Sequence, residues 1–194
     1  MPLFKVGSIM EKYIVITEYG EQKQDITVER ISCKNKNNLL LCWARRVSYP
    51  RIGIKSKQKL RREVLFHCNI LNSSLVLVNG TQNLYTDLYL INGIFIAVYA
   101  IKVRRLIEVS NSYVILGFYK AWGIMAEKIL DSPLDALNHF LAMIPWKEFS
   151  QEEKNEFEKV LKSTSHVNCV IRNLVWNFEC YILGNSLKVY IVKS

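Results

Sequence analysis

Asp87 and Lys102 are the two residues whose types and spacing are best suited to chemistry. They flank Asn92-Gly93, a favoured two-residue hairpin turn, because Asn and Gly both tolerate the positive φ it demands. In that register Ile91 faces Ile94 and Asp87 faces Val98. Side chains alternate along a strand, so Val98, Ala100 and Lys102 share a face with Asp87. Asp87 and position 100 become diagonal neighbours, about 7–8 Å apart. Carboxylates at both positions would share a divalent cation. A lysine two residues further on would orient or polarise the attacking water, which is metal-assisted phosphodiester hydrolysis. Position 100 is alanine, so this chemistry lacks one ligand.

The second feature is charge. The chain carries a net charge of +9. Arg45, Arg46, Arg51, Lys55, Lys57, Lys59, Arg61 and Arg62 fall in one stretch that holds no acid. From Lys120 to Val160 the balance reverses, with acids outnumbering bases. A lopsided basic field attracts polyanions, so nucleic acid is the expected partner. Lys55, Lys57, Lys59 and Arg61 alternate and would form one cationic edge if extended, with Trp43 and Tyr49 near enough to stack on bases. The competing reading is a solvated surface, or edge lysines that block aggregation.

Asp87 followed by Ala100-Ile101-Lys102 resembles the PD-(D/E)XK nuclease superfamily, and archaeal Holliday-junction resolvases in particular. The resemblance implies a nuclease-like core with Asp87 and Lys102 in the catalytic site and Glu63, in RREVLF (61–66), as an acid from the upstream helix. It also implies nucleic-acid contacts from Arg104 and Arg105. The sequence departs from the pattern at Ala100, where the family has Glu, and at Thr86, where it has Pro. The implied protein is catalytically degenerate, unless Glu108 supplies the missing carboxylate, and magnesium enters only if the site is active. A fainter likeness links Tyr85-Thr86-Asp87-Leu88 and the closing strands to archaeal tRNA-splicing endonuclease subunits, but their Gly-Phe-Lys-Phe-Gly stretch is missing.

Other chemistry is sparsely signalled. His67, His139 and His166 lack metal-ligand spacing, and His67 and His139 read as packed. Cys33, Cys42, Cys68, Cys169 and Cys180 form no CxxC pair and read as buried thiols. No GxGxxG, Walker A, GxSxG or HExxH motif occurs, so no further cofactor is expected.

These residues need elements to hold them. Lys12–Thr17 and Asp25–Ile31 read as strands, and Leu39–Val47 as a third after a polar turn at 34–38. Ile52–Ser56 reads as a loop after Tyr49-Pro50, and Gln58–Leu71 as a helix with Leu60, Val64, Leu65, Cys68 and Leu71 on one face. Leu75–Val78 is a short strand. Phe118, Trp122, Met125 and Ile129 repeat at helical spacing. Ser132-Pro133 and Ser150-Gln151-Glu152-Glu153 start two further helices, the second through a capping box. Val167–Ile182 and Leu187–Lys193 close the chain as strands across Gly184-Asn185. No internal repeat is visible.

The expected fold is α+β: a mixed or antiparallel sheet with helices packed on it, in one domain over 1–194, with 1–50 as a possible β-rich subdomain. No secretory signal is seen, and Leu88–Ile101 is too short and interrupted to span a bilayer. A soluble, cytoplasmic accessory subunit is the reading. The alternative is an interaction subunit whose basic stretch meets an acidic protein, or a homo-oligomer, with an exposed apolar patch near Trp122 or Trp146.

Overall fold

The computed structural model describes residues 10–20, 25–70, 75–103, 111–120, 122–163 and 167–194. The fold is α+β. Its strands form two five-stranded antiparallel sheets, and the chain divides into two compact units. The first comprises Met1–Val78 and Leu84–Arg104, the second Asn79–Asn83 and Arg105–Ser194. Among the described residues no helix is long and apolar enough to cross a membrane.

The first unit runs β1 (Glu11–Tyr19), β2 (Asp25–Cys33), α1 (Lys36–Arg46), α2 (Tyr49–Ile52), α3 (Ile54–Ile70), β3 (Val76–Leu77), β4 (Leu84–Ile91) and β5 (Ile94–Val103). Its sheet order is β2-β1-β5-β4-β3. β1 lies between β2 and β5, so the two strands from the first 50 residues share a sheet with the later hairpin. The β4–β5 hairpin has the expected register, with Ile91 opposite Ile94 and Asp87 opposite Val98. Asn92 and Gly93 take φ of 53° and 81° to make its turn.

Leu39–Arg46 is helical and Val47 caps the helix, where a strand was expected over Leu39–Val47. Asn35 caps α1, its side chain accepting the Asn38 N–H at 3.0 Å. Leu39, Leu40, Trp43, Ala44 and Val47 are all buried, a spacing that lines one side of a helix. An apolar run without clear period reads either way, and here the cap decides. The expected loop at 52–56 is also helical: Pro50 fits the first turn of α2, and α3 begins at Ile54. Leu60, Val64 and Cys68 pack inward as expected, while Leu65 is 49 % exposed.

The second unit runs β6 (Ser112–Tyr119), β7 (Trp122–Ile129), α4 (Pro133–Met143), a 3-10 turn (Trp146–Glu148), α5 (Gln151–Ser163), β8 (Asn168–Ile171), β9 (Val175–Ile182) and β10 (Asn185–Lys193). Ser132 caps α4 and Ser150 caps α5 as expected. The helix expected over Phe118–Ile129 is instead a hairpin. Phe118 pairs with Gly123 and Leu116 with Met125. The presumed helical stripe is no core face, since Met125 is 38 % and Ile129 78 % exposed. The strand expected over 167–182 breaks at Asn173, which has φ of 57°. The last turn lies at Leu183-Gly184, one residue before the expected Gly184-Asn185.

The two units repeat one plan, which corrects the reading that no internal repeat exists. The second sheet is ordered β7-β6-β10-β9-β8, the same arrangement with each strand replaced by its counterpart. Registers match as well. Tyr13 faces Lys102 and Tyr19 faces Ile96; Tyr113 faces Lys193 and Tyr119 faces Leu187. At these positions KYIVITEY (12–19) aligns with SYVILGFY (112–119), and VYAIK (98–102) with VYIVK (189–193). Helices α1 and α4 are each 11 residues long and start after a side-chain cap, at Asn35 and Ser132. Leu39, Leu40 and Trp43 of one match Ala136, Leu137 and Phe140 of the other, all buried. Ile52 and Phe149, buried at matched places, lead into α3 and α5.

Candidate nucleic-acid interface

The face of the hairpin that carries Asp87 lies under the helices. Val98 and Ala100 belong to the core with Trp43, Leu60 and Val64. Ala100 is fully buried, between Val15 on β1 and Tyr85 on β4. Asp87 is half-buried and already engaged: it accepts the Tyr89 hydroxyl and the Leu88 N–H. The Cys68 thiol of α3 is raised by burial first and by the charge of Asp87 second.

Lys102 sits four residues beyond Val98 along β5, about 13 Å of strand, where its ammonium meets Glu11 at 2.5 Å. Tyr13, directly opposite, donates its hydroxyl to the same carboxylate at 2.6 Å. Burial would raise Glu11, but the bonds from Lys102 and Tyr13 outweigh it and hold the carboxyl below its ordinary value. Glu11 has no motif around it, and only the pairing of β1 with β5 brings it to Lys102. The second unit makes the same contact: Lys193, opposite Tyr113, bonds Asn111 at 3.1 Å. The lysine at this strand end is therefore a repeated clasp between neighbouring strands.

Glu63 lies on α3, half-buried at the margin of its buried stripe. Arg104, Arg105, Glu108 and His166 lie outside the described residues. Among the described residues no three of His, Cys, Asp and Glu cluster so as to hold a metal ion. His67 and His139 are half-buried, each with one ring nitrogen enclosed by protein and lacking a hydrogen-bond partner. Cys33 and Cys68 are buried, whereas Cys169 is exposed, contrary to the expectation for all five.

The basic segment is helical, so the single extended edge of Lys55, Lys57, Lys59 and Arg61 does not form. At about 100° per residue these side chains spread around α3. Lys55, Lys59 and Arg62 are exposed and fall on one side of the helix, opposite Ser56, Leu60 and Val64, while Lys57 is half-buried. Three arginine side chains make local contacts while staying exposed. Arg61 donates to the Arg45 carbonyl at 3.2 Å, in the last turn of α1 where carbonyls lack helical partners. Arg46 donates to the Arg30 carbonyl at 3.0 Å, and Arg51 lies over the Tyr19 ring. Trp43, expected as a stacking platform, is fully buried and donates to the Thr17 hydroxyl at 2.9 Å.

What the arrangement offers is a convex cationic helix face. Its matched helix keeps a cation at the place of Arg62, Lys159, and reverses the others. Counting on from the matched caps and from Ile52 and Phe149, Lys55, Lys59 and Arg61 correspond to Glu152, Glu156 and Glu158. Trp146 packs edge-on against Phe157 at 5.0 Å and does not form an exposed patch. Searches of family models, of curated proteins and of solved structures find no match to this chain.

Proposed function

We propose that the protein is a non-catalytic accessory subunit that binds nucleic acid through the α1–α3 face of its first unit. The observation that carries this reading is the exposed row Lys55, Lys59 and Arg62, flanked by Arg61 and Arg45 and free of exposed carboxylates along its length. Phosphate contacts of this kind give affinity without reading sequence. Asp87, Ala100 and Lys102 are each occupied in packing or pairing, which leaves binding as the function the geometry supports.

The test is binding to labelled single- and double-stranded DNA and RNA across a salt series. The comparison is a variant with Lys55, Lys57, Lys59, Arg61 and Arg62 changed to Gln. Binding should weaken steeply with salt, and the variant should lose on the order of 100-fold at low salt, with a shallower slope as fewer counterions are released. Absence of wild-type binding at low salt would sink the reading.

A second reading, an interaction subunit, is favoured by the outer face of the β4–β5 hairpin. Leu88 and Leu90 are 59 % and 57 % exposed there, with Phe95 at 37 %. At the matched places the second unit has Glu179, Tyr181 and Ser186, and Glu179 bonds Ser186 and Lys188. An apolar face kept where its duplicate is polar fits a covered surface. If it joins two copies of the chain, changing Leu88 and Leu90 to Glu should turn a dimer into a monomer in sedimentation. A wild type that is monomeric at all concentrations removes the self-association form of this reading.

A further inference from the structure

The cationic row does not end in a charge. Residues 55, 59, 62 and 66 stand at i, i+4, i+7 and i+11, one side of a helix over about 16 Å. The fourth is Phe66, 57 % exposed. Leaving a phenylalanine in water forfeits the free energy of burying it, and the matched position in α5 is Ser163. The second unit thus differs at Lys55, at Lys59 and at the ring, and keeps a cation, Lys159, at the place of Arg62.

Phe66 also stands beside a stack that reaches into the core, tilted 54° from its outermost ring. Its ring lies 6.1 Å from that of His67. His67 stacks on Tyr89 at 5.9 Å, and Tyr89 on the buried Trp43 at 5.7 Å. The rings behind it are fixed in this stack, so the ground on which Phe66 stands does not move when a ligand arrives. Arg62 stands four residues before Phe66, one turn away on the same side of the helix. A duplex hides its base faces and has no use for such a ring, whereas unstacked bases of a single strand pack on one.

We infer that the Lys55–Lys59–Arg62–Phe66 row binds single-stranded nucleic acid, with the three cations on successive phosphates and a base stacked on Phe66. This rests on the nucleic-acid reading and adds the strand state of the ligand. Exposed apolar residues beside cations also suit an anionic lipid surface, so vesicles enter the test.

The experiment measures fluorescence anisotropy of short labelled oligouridylate, oligothymidylate and a duplex of mixed sequence, and co-sedimentation with phosphatidylserine vesicles. The full chain is compared with Phe66→Lys, Phe66→Tyr and the double variant Lys55→Glu/Lys59→Glu. Phe66→Lys adds a positive charge, so electrostatics and stacking predict opposite signs. The expected result is a loss of about tenfold for single strands, within the range of one base stack, little change for the duplex, and near wild-type binding for Phe66→Tyr. Single-strand binding by Phe66→Lys that equals or exceeds wild type would overturn the stacking role. The double variant carries residues that the second unit bears at matched places, so it should fold. If it still binds oligonucleotides like wild type, the underlying nucleic-acid reading fails. Vesicle binding without oligonucleotide binding overturns both.

Discussion

Replacing Ala100 with glutamate is expected to unfold the first unit, although the nuclease resemblance marks that position as the missing metal ligand. Ala100 has no exposed surface and lies in the core beneath the helices, with Val15 and Tyr85 as cross-strand neighbours. A carboxyl buried among such groups resists ionisation by roughly 3–5 pK units, or about 4–7 kcal/mol at neutral pH. Overpacking adds about 1–3 kcal/mol. The sum rivals the roughly 5–15 kcal/mol that holds a domain together. Its pH dependence has a definite sign. The folded pKa is raised, so the ionisation part of the deficit grows as pH climbs above the ordinary glutamate value near 4.3 and fades below it. Urea unfolding at pH 4 and pH 8 reads this directly. A variant that stays folded at pH 8 and gains stability with magnesium would revive a metal site at Asp87.

Gly117→Ala should be the most damaging single-methyl change in the second unit. A Cβ there would stand 1.8, 2.3 and 2.7 Å from three carbons of the Phe140 ring. The ring cannot retreat, because Phe140 is fully buried in the core under α4. A loss of about 3 kcal/mol is expected, the upper range for overpacking. The first unit solves the same position differently: Thr17 replaces the glycine and Trp43 replaces the phenylalanine, joined by a hydrogen bond of 2.9 Å. The pairs are therefore coupled. Phe140→Leu alone leaves a gap, but in that background Gly117→Ala should cost much less than in wild type. A double-mutant cycle by urea denaturation measures the coupling, and additive effects would contradict direct contact.

The matched pairs Thr17–Trp43 and Gly117–Phe140 also show why the structural repeat was hard to read. Each unit keeps the packing relation and changes the residues. β1 ends at Tyr19 and β2 begins at Asp25, whereas β6 ends at Tyr119 and β7 begins at Trp122, and α3 outlasts α5, so no constant period survives. Two of the segments that read against the structure, Leu39–Val47 and Phe118–Ile129, are apolar runs in which local pattern allows either helix or strand. Asn35 decides the first by capping α1. Cross-strand partners decide the second, since every residue of β6 is buried between β7 and β10.

Local chemistry alone determined the Asn92-Gly93 hairpin and its register, the Ser132 and Ser150 caps, and the concentration of positive charge at 45–62. Each of these depends on the conformational preference or charge of a few adjacent residues. The tertiary structure decided what those features are for. Pairing β1 with β5 gave Lys102 to Glu11, and covering the hairpin with α1 and α3 placed Ala100 in the core. Coiling the basic segment into α3 dispersed one expected edge and aligned Lys55, Lys59 and Arg62 with Phe66. Those outcomes depend on residues up to 91 positions apart, as Glu11 and Lys102 are. No window of sequence holds both members of such a pair, so only the closed sheet brings them together.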